Sequence, residues 1–213
     1  MIGSDQTAGQ GRTARADQRR RHLLEVARRL FVQQGFHQTG VAQIASESEI
    51  KVGQIYRDFE SKEAIIAAIC EMDVAAWLEE DVLTAAVQQN DLPAIRAWLA
   101  RFSQPEDTEE YRLVAEIMAE AGRNERIAES YRALDNRIMA SLSAALEAIA
   151  PPDTERAAID ALAQLIMTFG VGMASRKIVL GKDGSQEACR LMDRFLTSEM
   201  ATLFRCHVPC DQR

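Results

Sequence analysis

Four side chains within the stretch 51–57, Lys51, Gln54, Tyr56 and Arg57, have the chemistry to hold a polyanion and to read it. A glutamine amide can pair with adenine N6 and N7, and an arginine guanidinium with guanine O6 and N7 or with a phosphate. A tyrosine hydroxyl can donate to a phosphate oxygen, which fixes register without reading sequence. Helical spacing sets these four opposite Ile50, Ile55 and Phe59, and Gly53 leaves the backbone between them bare. Lys62, next to the helix-capping Ser61, adds a cation beside free helix N–H groups. Nothing comparable exists for catalysis. The histidines are His22, His37 and His207, and no nucleophile motif, phosphate loop or metal-spaced cluster accompanies them. Cys206, His207 and Cys210 lack the second ligand pair of a closed zinc site. Together with Cys70 and Cys189 they follow no disulfide framework. No enzymatic activity, metal or cofactor is expected.

Those side chains require a short helix held at a fixed angle against others, and the pattern supplies one. Leu23, Ala27, Leu30 and Phe31 recur at helical spacing until Gly35. Thr39 can cap a second short helix, whose Val41, Ile44 and Ala45 share a face. Lys51 to Phe59 forms the third, and Ser61 caps a long fourth helix from Lys62. Short helices separated by a tight turn make a helix-turn-helix, whose second helix fits a major groove ~12 Å wide.

Beyond it, Asp91 and Pro93 open a helix that Pro105 closes, and Tyr111 to Ala121 forms the next, ended by Gly122. Asn124 caps a helix stopped by Pro151 and Pro152. Asp153 caps another to about Ile178, and Ser185 starts a last one ending near Cys206. No alternating strand pattern and no fixed-period repeat occur. The fold class is all-α.

Charge divides the same way. Residues 1–60 carry nine basic and seven acidic side chains, whereas residues 61–213 carry 16 basic and 25 acidic. A basic head on an acidic body suits a polyanion partner for the head. The 213 residues, 47% hydrophobic and 27% charged, describe a soluble globular chain. The nearest approach to a membrane span, Met167 to Ala174, is broken by Gly170 and Gly172 and followed by Arg176 and Lys177. The basic N-terminus has no apolar stretch behind it, so a cytoplasmic protein without membrane contact is expected.

Residues 21–66 resemble the DNA-binding region of the TetR/AcrR family of bacterial transcriptional regulators. The resemblance rests on Leu23–Leu24, Ala27, Leu30–Phe31, Gly35–Phe36, Thr39, Val41 and Ile44–Ala45. It is most specific in Gly53-Gln54-Ile55-Tyr56 followed by Phe59 and Ser61-Lys62-Glu63. Met118 to Ala133, with Glu120-Ala121-Gly122-Arg123-Asn124, is similar to the effector domains of betaine-pathway regulators within that family. The resemblance implies a homodimer, a recognition helix at Val52–Asp58 and a C-terminal domain that binds a small effector. The DNA-binding set is then Thr39, Lys51, Val52, Gln54, Tyr56, Arg57 and Lys62. Several positions depart from the family pattern. Glu49 stands where glycine is usual, in a turn that often needs a left-handed residue; either its side chain costs about 1 kcal/mol there or the turn is built differently. Gly40 and Ala42 replace a Ser/Thr and an Arg, which removes two phosphate anchors. Asp58 stands where an aromatic residue or histidine is frequent and would repel a phosphate it faced. Lys51 and Arg19–Arg21 supply compensating charge.

Pocket and dimer residues are read from apolar helix faces. Trp98, Phe102, Tyr111, Met118, Tyr131, Met167 and Phe169 either pack as core or line an apolar cavity. Glu120 shares a helix face with Glu116 and would attract a cationic ligand if that face turned inward. Leu165, Thr168, Gly172 and Ser175 form a stripe with small residues, and Leu191 and Phe195 a matching seam continued by Leu196 and Met200. By resemblance these form the four-helix dimer interface. The expected organisation is a disordered tail at 1–14, a helix-turn-helix domain at 15–62, an effector-binding and dimerisation domain at 63–206, and a flexible tail at 207–213. The expected function is a ligand-responsive repressor, homodimeric on a palindromic double-stranded DNA operator and released by a small-molecule effector. The alternative is a helical small-molecule-binding or adaptor protein whose head has lost DNA affinity.

Overall fold

The computed structural model describes residues 5–103, 108–181 and 186–203, and among them every regular element is an α-helix. The first, α1 (Asp5–Gln34), takes in residues 5–14, where the sequence predicts a disordered tail. It ends where Gly35 adopts φ 82°, a conformation that strains any residue with a Cβ. The second helix, α2 (Val41–Ser48), starts after Gly40 rather than being capped by Thr39. Thr39 is completely buried, and its hydroxyl donates to the carbonyls of Gly35 (2.9 Å) and Leu30 (3.3 Å) at the end of α1. The hydroxyl thus closes the exposed carbonyl end of one helix rather than the N–H end of the next.

Glu49 ends α2 in the left-handed region, φ 56° and ψ 22°, the strained alternative of the two the sequence leaves open. Then come α3 (Val52–Asp58) and α4 (Lys62–Leu78), with Ser61 Oγ accepting from the Ala64 N–H at 3.2 Å. Glu79, at φ 46°, separates α4 from α5 (Glu80–Gln88), a break that no glycine or proline marks in the sequence. Asp91 caps α6 (Leu92–Ala100) at 3.0 Å from the Ala94 N–H, with Pro93 in its first turn. Pro105 lies outside the described residues. α7 (Thr108–Ala121) and α8 (Glu125–Ile149) follow, and Asn124 accepts from the Arg126 N–H at 3.2 Å. The residue preceding α9 (Arg156–Leu180) is Glu155, not the expected Asp153. α10 is described as Gln186–Leu203, so the expected start at Ser185 and end near Cys206, like the tail at 207–213, fall outside the described residues.

The chain divides into two compact units. The first runs from the start of the described chain to Asp73 and takes in Leu113–Tyr131; the second holds Val74–Arg112 and the chain from Arg132 onward. The boundary placed at 62 from sequence thus lies further along α4, and the end of α7 with the start of α8 belongs to the first unit. That unit buries Leu23, Phe31, Ile44, Ile55, Ile65 and Ile69 at 1% exposure or less, each worth ~1.5–3 kcal/mol. The second unit is built around Leu78, Ile95, Trp98, Leu142, Leu146 and Ile166. Its α9 is long and apolar enough by composition to cross a membrane, yet Leu162, Ala163, Ile166, Met173 and Ala174 on it are buried in the protein.

Candidate nucleic-acid interface

In the first unit, α3 is seven residues long and buries only its inner face. Ile55 is fully buried, and Ile50 and Phe59 flank it at 9% and 5% exposure. The Arg20 guanidinium covers the Phe59 ring at 4.6 Å, a cation–π contact. The outer face is open: Lys51, Gly53 and Arg57 are exposed, as are Val52 at 41% and Tyr56 at 54%. Gln54 and Asp58 are half-buried. The face carries two cations and an accessible phenol, and a Cβ added at Gly53 would meet nothing within 4 Å. The bare backbone there can therefore lie close against a polyanion.

Two expected DNA contacts are placed differently. Thr39 is sealed inside the unit, so its side chain has no access to a phosphate. Lys62 turns inward: Nζ donates to the carbonyls of Phe36 (2.7 Å) and Thr39 (3.2 Å) and lies 4.1 Å from the centre of the Phe36 ring. Burial of the ammonium pulls its pKa below the usual lysine value, against the opposing attraction of Glu63 and Glu120. It ties the start of α4 to the α1–α2 connection, a structural duty in place of the expected phosphate contact. Its neighbour Glu63 has a lowered pKa, first because of the hydrogen bond from its own backbone N–H at the helix start.

Sequence reasoning missed which α7 side chains touch that connection. Glu116 of α7 accepts from the Phe36 N–H at 3.3 Å, and buried Glu120 lies 2.6 Å from His37 Nε2 and 3.6 Å from Arg123. Glu120, expected as a pocket residue, is thus engaged in the first unit with the helix-turn-helix. The shared face of Glu116 and Glu120 is visible in their spacing, but their partner, some 80 residues earlier, is not. Arg28 also donates to Asp73 at 3.1 Å, and burial raises the Asp73 pKa despite that guanidinium.

The remaining pocket candidates separate. Met118, with 39% exposure, and Tyr131 belong to the first unit; Trp98, Phe102, Tyr111, Met167 and Phe169 belong to the second. There, Trp98 and Trp77 both pack on Phe102, with ring centroids 5.3 and 4.7 Å from it, and the Trp98 indole donates to the Leu78 carbonyl at 2.6 Å. Met167 packs on the same cluster. The predicted dimer stripe is exposed throughout: Leu165, Thr168, Gly172 and Ser175 on α9, Leu191 and Phe195 on α10. Leu196, placed in the seam from sequence, is instead part of the chain's own core. Among the described residues no group of three His, Cys, Asp or Glu side chains converges as a metal cage requires; Cys206, His207 and Cys210 lie outside them.

Comparison with known proteins agrees with this geometry. Residues 23–69 match the family described as "Bacterial regulatory proteins, tetR family", and residues 91–201 match "BetI-type transcriptional repressor, C-terminal". YerO of Bacillus subtilis (strain 168), an uncharacterised HTH-type transcriptional regulator, is 36% identical over 72 residues, covering 31% of this chain and 25% of its own length. The match thus spans about a quarter of that relative. Among solved structures, GusR of Salmonella enterica is similar with a TM-score of 0.63 and 27% identity, covering 88% of this chain and 96% of GusR. A transcriptional regulator from Saccharomonospora viridis in complex with choline shares the fold, with a TM-score of 0.61 and 21% identity over 87% of this chain and 96% of that one. An open helix face, the turn motif behind it and family matches over more than half the chain lead to one conclusion: this protein belongs to the TetR family of bacterial transcriptional regulators.

Proposed function

We propose that the protein is a repressor that binds a palindromic operator as a homodimer and is released by a small-molecule effector held in its second unit. The observation that carries the reading is the open face of α3, with Lys51, Val52, Tyr56 and Arg57 exposed above a buried Ile55. Arg57 and Gln54 have the donors and acceptors for base edges, while Lys51 and Tyr56 suit phosphates. The BetI-type description of residues 91–201 favours repression.

The exposed stripe on α9 and α10 supports dimerisation through a second copy, which would set the two α3 helices about one DNA turn, ~34 Å, apart. Gly172 gives a clean test of that interface. A Cβ there meets nothing within 4 Å among the described residues, and the position is exposed, so the side chain of Gly172→Leu starts into open space and obstructs a closely packed partner helix. Sedimentation should show a dimer for the natural chain and a monomer for Gly172→Leu.

Release requires the effector to favour the non-binding arrangement. A shift of 10⁴ in operator occupancy needs about 5.5 kcal/mol of differential affinity. α4, α7 and α8 each contribute residues to both units, which gives an effector in the second unit elements through which to act. The direct test is binding to duplex DNA from the region upstream of the gene. Replacing Tyr56 and Arg57 together by Ala should abolish operator binding with the helical circular dichroism unchanged. A double variant that binds as tightly as the natural protein overturns the assignment.

A further inference from the structure

The outer face of α3 holds a chain of hydrogen bonds that the proposed DNA contacts alone do not require. Arg57 Nη2 donates to Gln54 Oε1. Gln54 Nε2 donates to both oxygens of Asp58, at 3.2 and 3.3 Å. The Arg19 guanidinium of α1 lies 3.4 Å from Asp58 Oδ2. Asp58 was expected to repel a phosphate only if it faced one. Instead its charge is met by Arg19, and its side chain is only 22% exposed.

The chemistry of the flanking groups dictates how the Gln54 amide must lie. A carboxylate only accepts hydrogen bonds and a guanidinium only donates them. The amide NH₂ therefore faces Asp58 and the amide oxygen faces Arg57. The flipped amide would set oxygen against carboxylate and NH₂ against guanidinium, losing hydrogen bonds on both sides. When Arg57 turns away to a phosphate or to guanine, Asp58 alone keeps the amide from flipping.

We propose that Asp58 is a specificity-determining positioning residue: it holds Gln54 in one orientation, so that the base pair facing Gln54 is read in a single donor–acceptor order. The inference rests on the reading that α3 enters the major groove. Adenine offers an acceptor at N7 beside a donor at N6, while guanine offers two acceptors. An oriented amide distinguishes the order of these groups along the groove; a freely flipping one accepts either order.

The test is selection of preferred duplexes from a randomised library by the full-length protein, followed by binding titrations on single-base variants. Gln54→Ala identifies the base pair read by Gln54. At that pair the natural protein should discriminate by about five- to a hundredfold, the range of one good bidentate contact. Asp58→Asn is the informative substitution, because it keeps the shape but offers both a donor and an acceptor to the amide. It should reduce discrimination at that one pair to about threefold or less, with the preferences elsewhere in the site retained. Asp58→Glu, which keeps an acceptor-only carboxylate, should restore the preference, a rescue that a purely structural role would not show. In the Gln54→Ala background, Asp58→Asn should leave base preference unaltered. If Asp58→Asn strengthens binding to all sequences alike and leaves every preference intact, Asp58 acts only through its charge and the proposal fails, while the DNA-binding reading stands. If the natural protein selects no sequence and binds no duplex, both fail.

Discussion

Lys62 separates two accounts of how the helix-turn-helix is held. As a phosphate anchor, its loss weakens DNA binding and leaves the free protein untouched. As the structure places it, Lys62→Met removes two hydrogen bonds from an ammonium to the carbonyls of Phe36 and Thr39, at 2.7 and 3.2 Å, and the approach to the Phe36 ring at 4.1 Å. Hydrogen bonds to charged groups contribute about 1.5–3 kcal/mol each, and an exposed cation–π contact about 0.5–1 kcal/mol. Against this stands the cost of desolvating the ammonium, relieved in the variant and large enough to lower the lysine pKa. The methionine stem also keeps the apolar contact. A net loss of about 2 kcal/mol follows, local to the α1–α2 connection.

Both tryptophans, Trp77 and Trp98, lie in the second unit, so their fluorescence does not report this loss. Hydrogen exchange followed by mass spectrometry does. The peptide spanning Phe36–Ile44 should exchange about thirtyfold faster in Lys62→Met, the equivalent of 2 kcal/mol, with peptides of α9 unchanged. pH gives a second signature. Because the folded pKa is depressed, the unfolded chain binds more protons between that value and the ordinary one near 10.4, and stability rises with pH across that window. Lys62→Met should lack this rise. If exchange over Phe36–Ile44 is unaltered while operator binding weakens and its salt slope falls by about one, Lys62 is a phosphate contact and the structural argument is wrong.

Other positions give simpler expectations. Thr39→Val removes the buried hydroxyl that donates to Leu30 and Gly35, so it should cost about 1–3 kcal/mol in urea denaturation, and Thr39→Ser distinctly less. Glu49→Gly relieves a left-handed side-chain position at φ 56° worth about 1 kcal/mol, of which the unfolded-state entropy of glycine takes back about 0.4–1, so stability in urea should rise by about 0.5 kcal/mol or less. Arg137 holds the Glu80 carboxylate below the usual carboxylate range. The pair's stabilisation is therefore present above that range and lost as pH falls through the lowered pKa. Melting temperatures of Arg137→Ala and the natural chain should differ at pH 7 and converge on acidification.

The elements legible in the sequence were those with local chemical punctuation. Gly35 ends α1, Ser61 and Asp91 cap their helices, and the buried Ile55 and Phe59 fix which face of α3 looks outward. At Glu49 residue type and place in the motif disagree, so the sequence leaves open a strained left-handed residue or a differently built turn, and φ 56° is the first of these. What stayed hidden depended on partners distant in sequence. A buried threonine and an exposed one look alike in a string, so Thr39 reads as a cap. A lysine after a capping serine reads as a surface cation until the carbonyls of Phe36 and Thr39 are seen around it. Glu79 breaks a helix by adopting φ 46°, which no composition signal announces.

The sequence segment that carries the likeness to betaine-pathway regulators has a physical role in the first unit. Glu120 lies beside His37 and Arg123, and the Asn124 amide reaches Glu63 at 3.5 Å. The Glu120 side chain is 6% exposed, while His37 and Arg123 are 69% and 66% exposed. A buried carboxylate is costly unless paired, and its attraction to largely solvated partners repays that cost poorly. The two ways of breaking this cluster should therefore differ sharply. Glu120→Met removes the charge and fills its space with apolar atoms, so it should be near neutral for stability. His37→Ala with Arg123→Ala leaves the carboxylate its attraction to Lys62 in place of these two partners and should destabilise the first unit by about 1–2 kcal/mol, discounted from the figure for fully buried pairs because water reaches both partners. Amide exchange over the Phe36–Ile44 peptide reads both variants. Equal losses in the two would mean that the pair stabilises the fold outright. The opposite order, with Glu120→Met the more damaging, would mean that the carboxylate is the anchor that holds the α1–α2 connection in place.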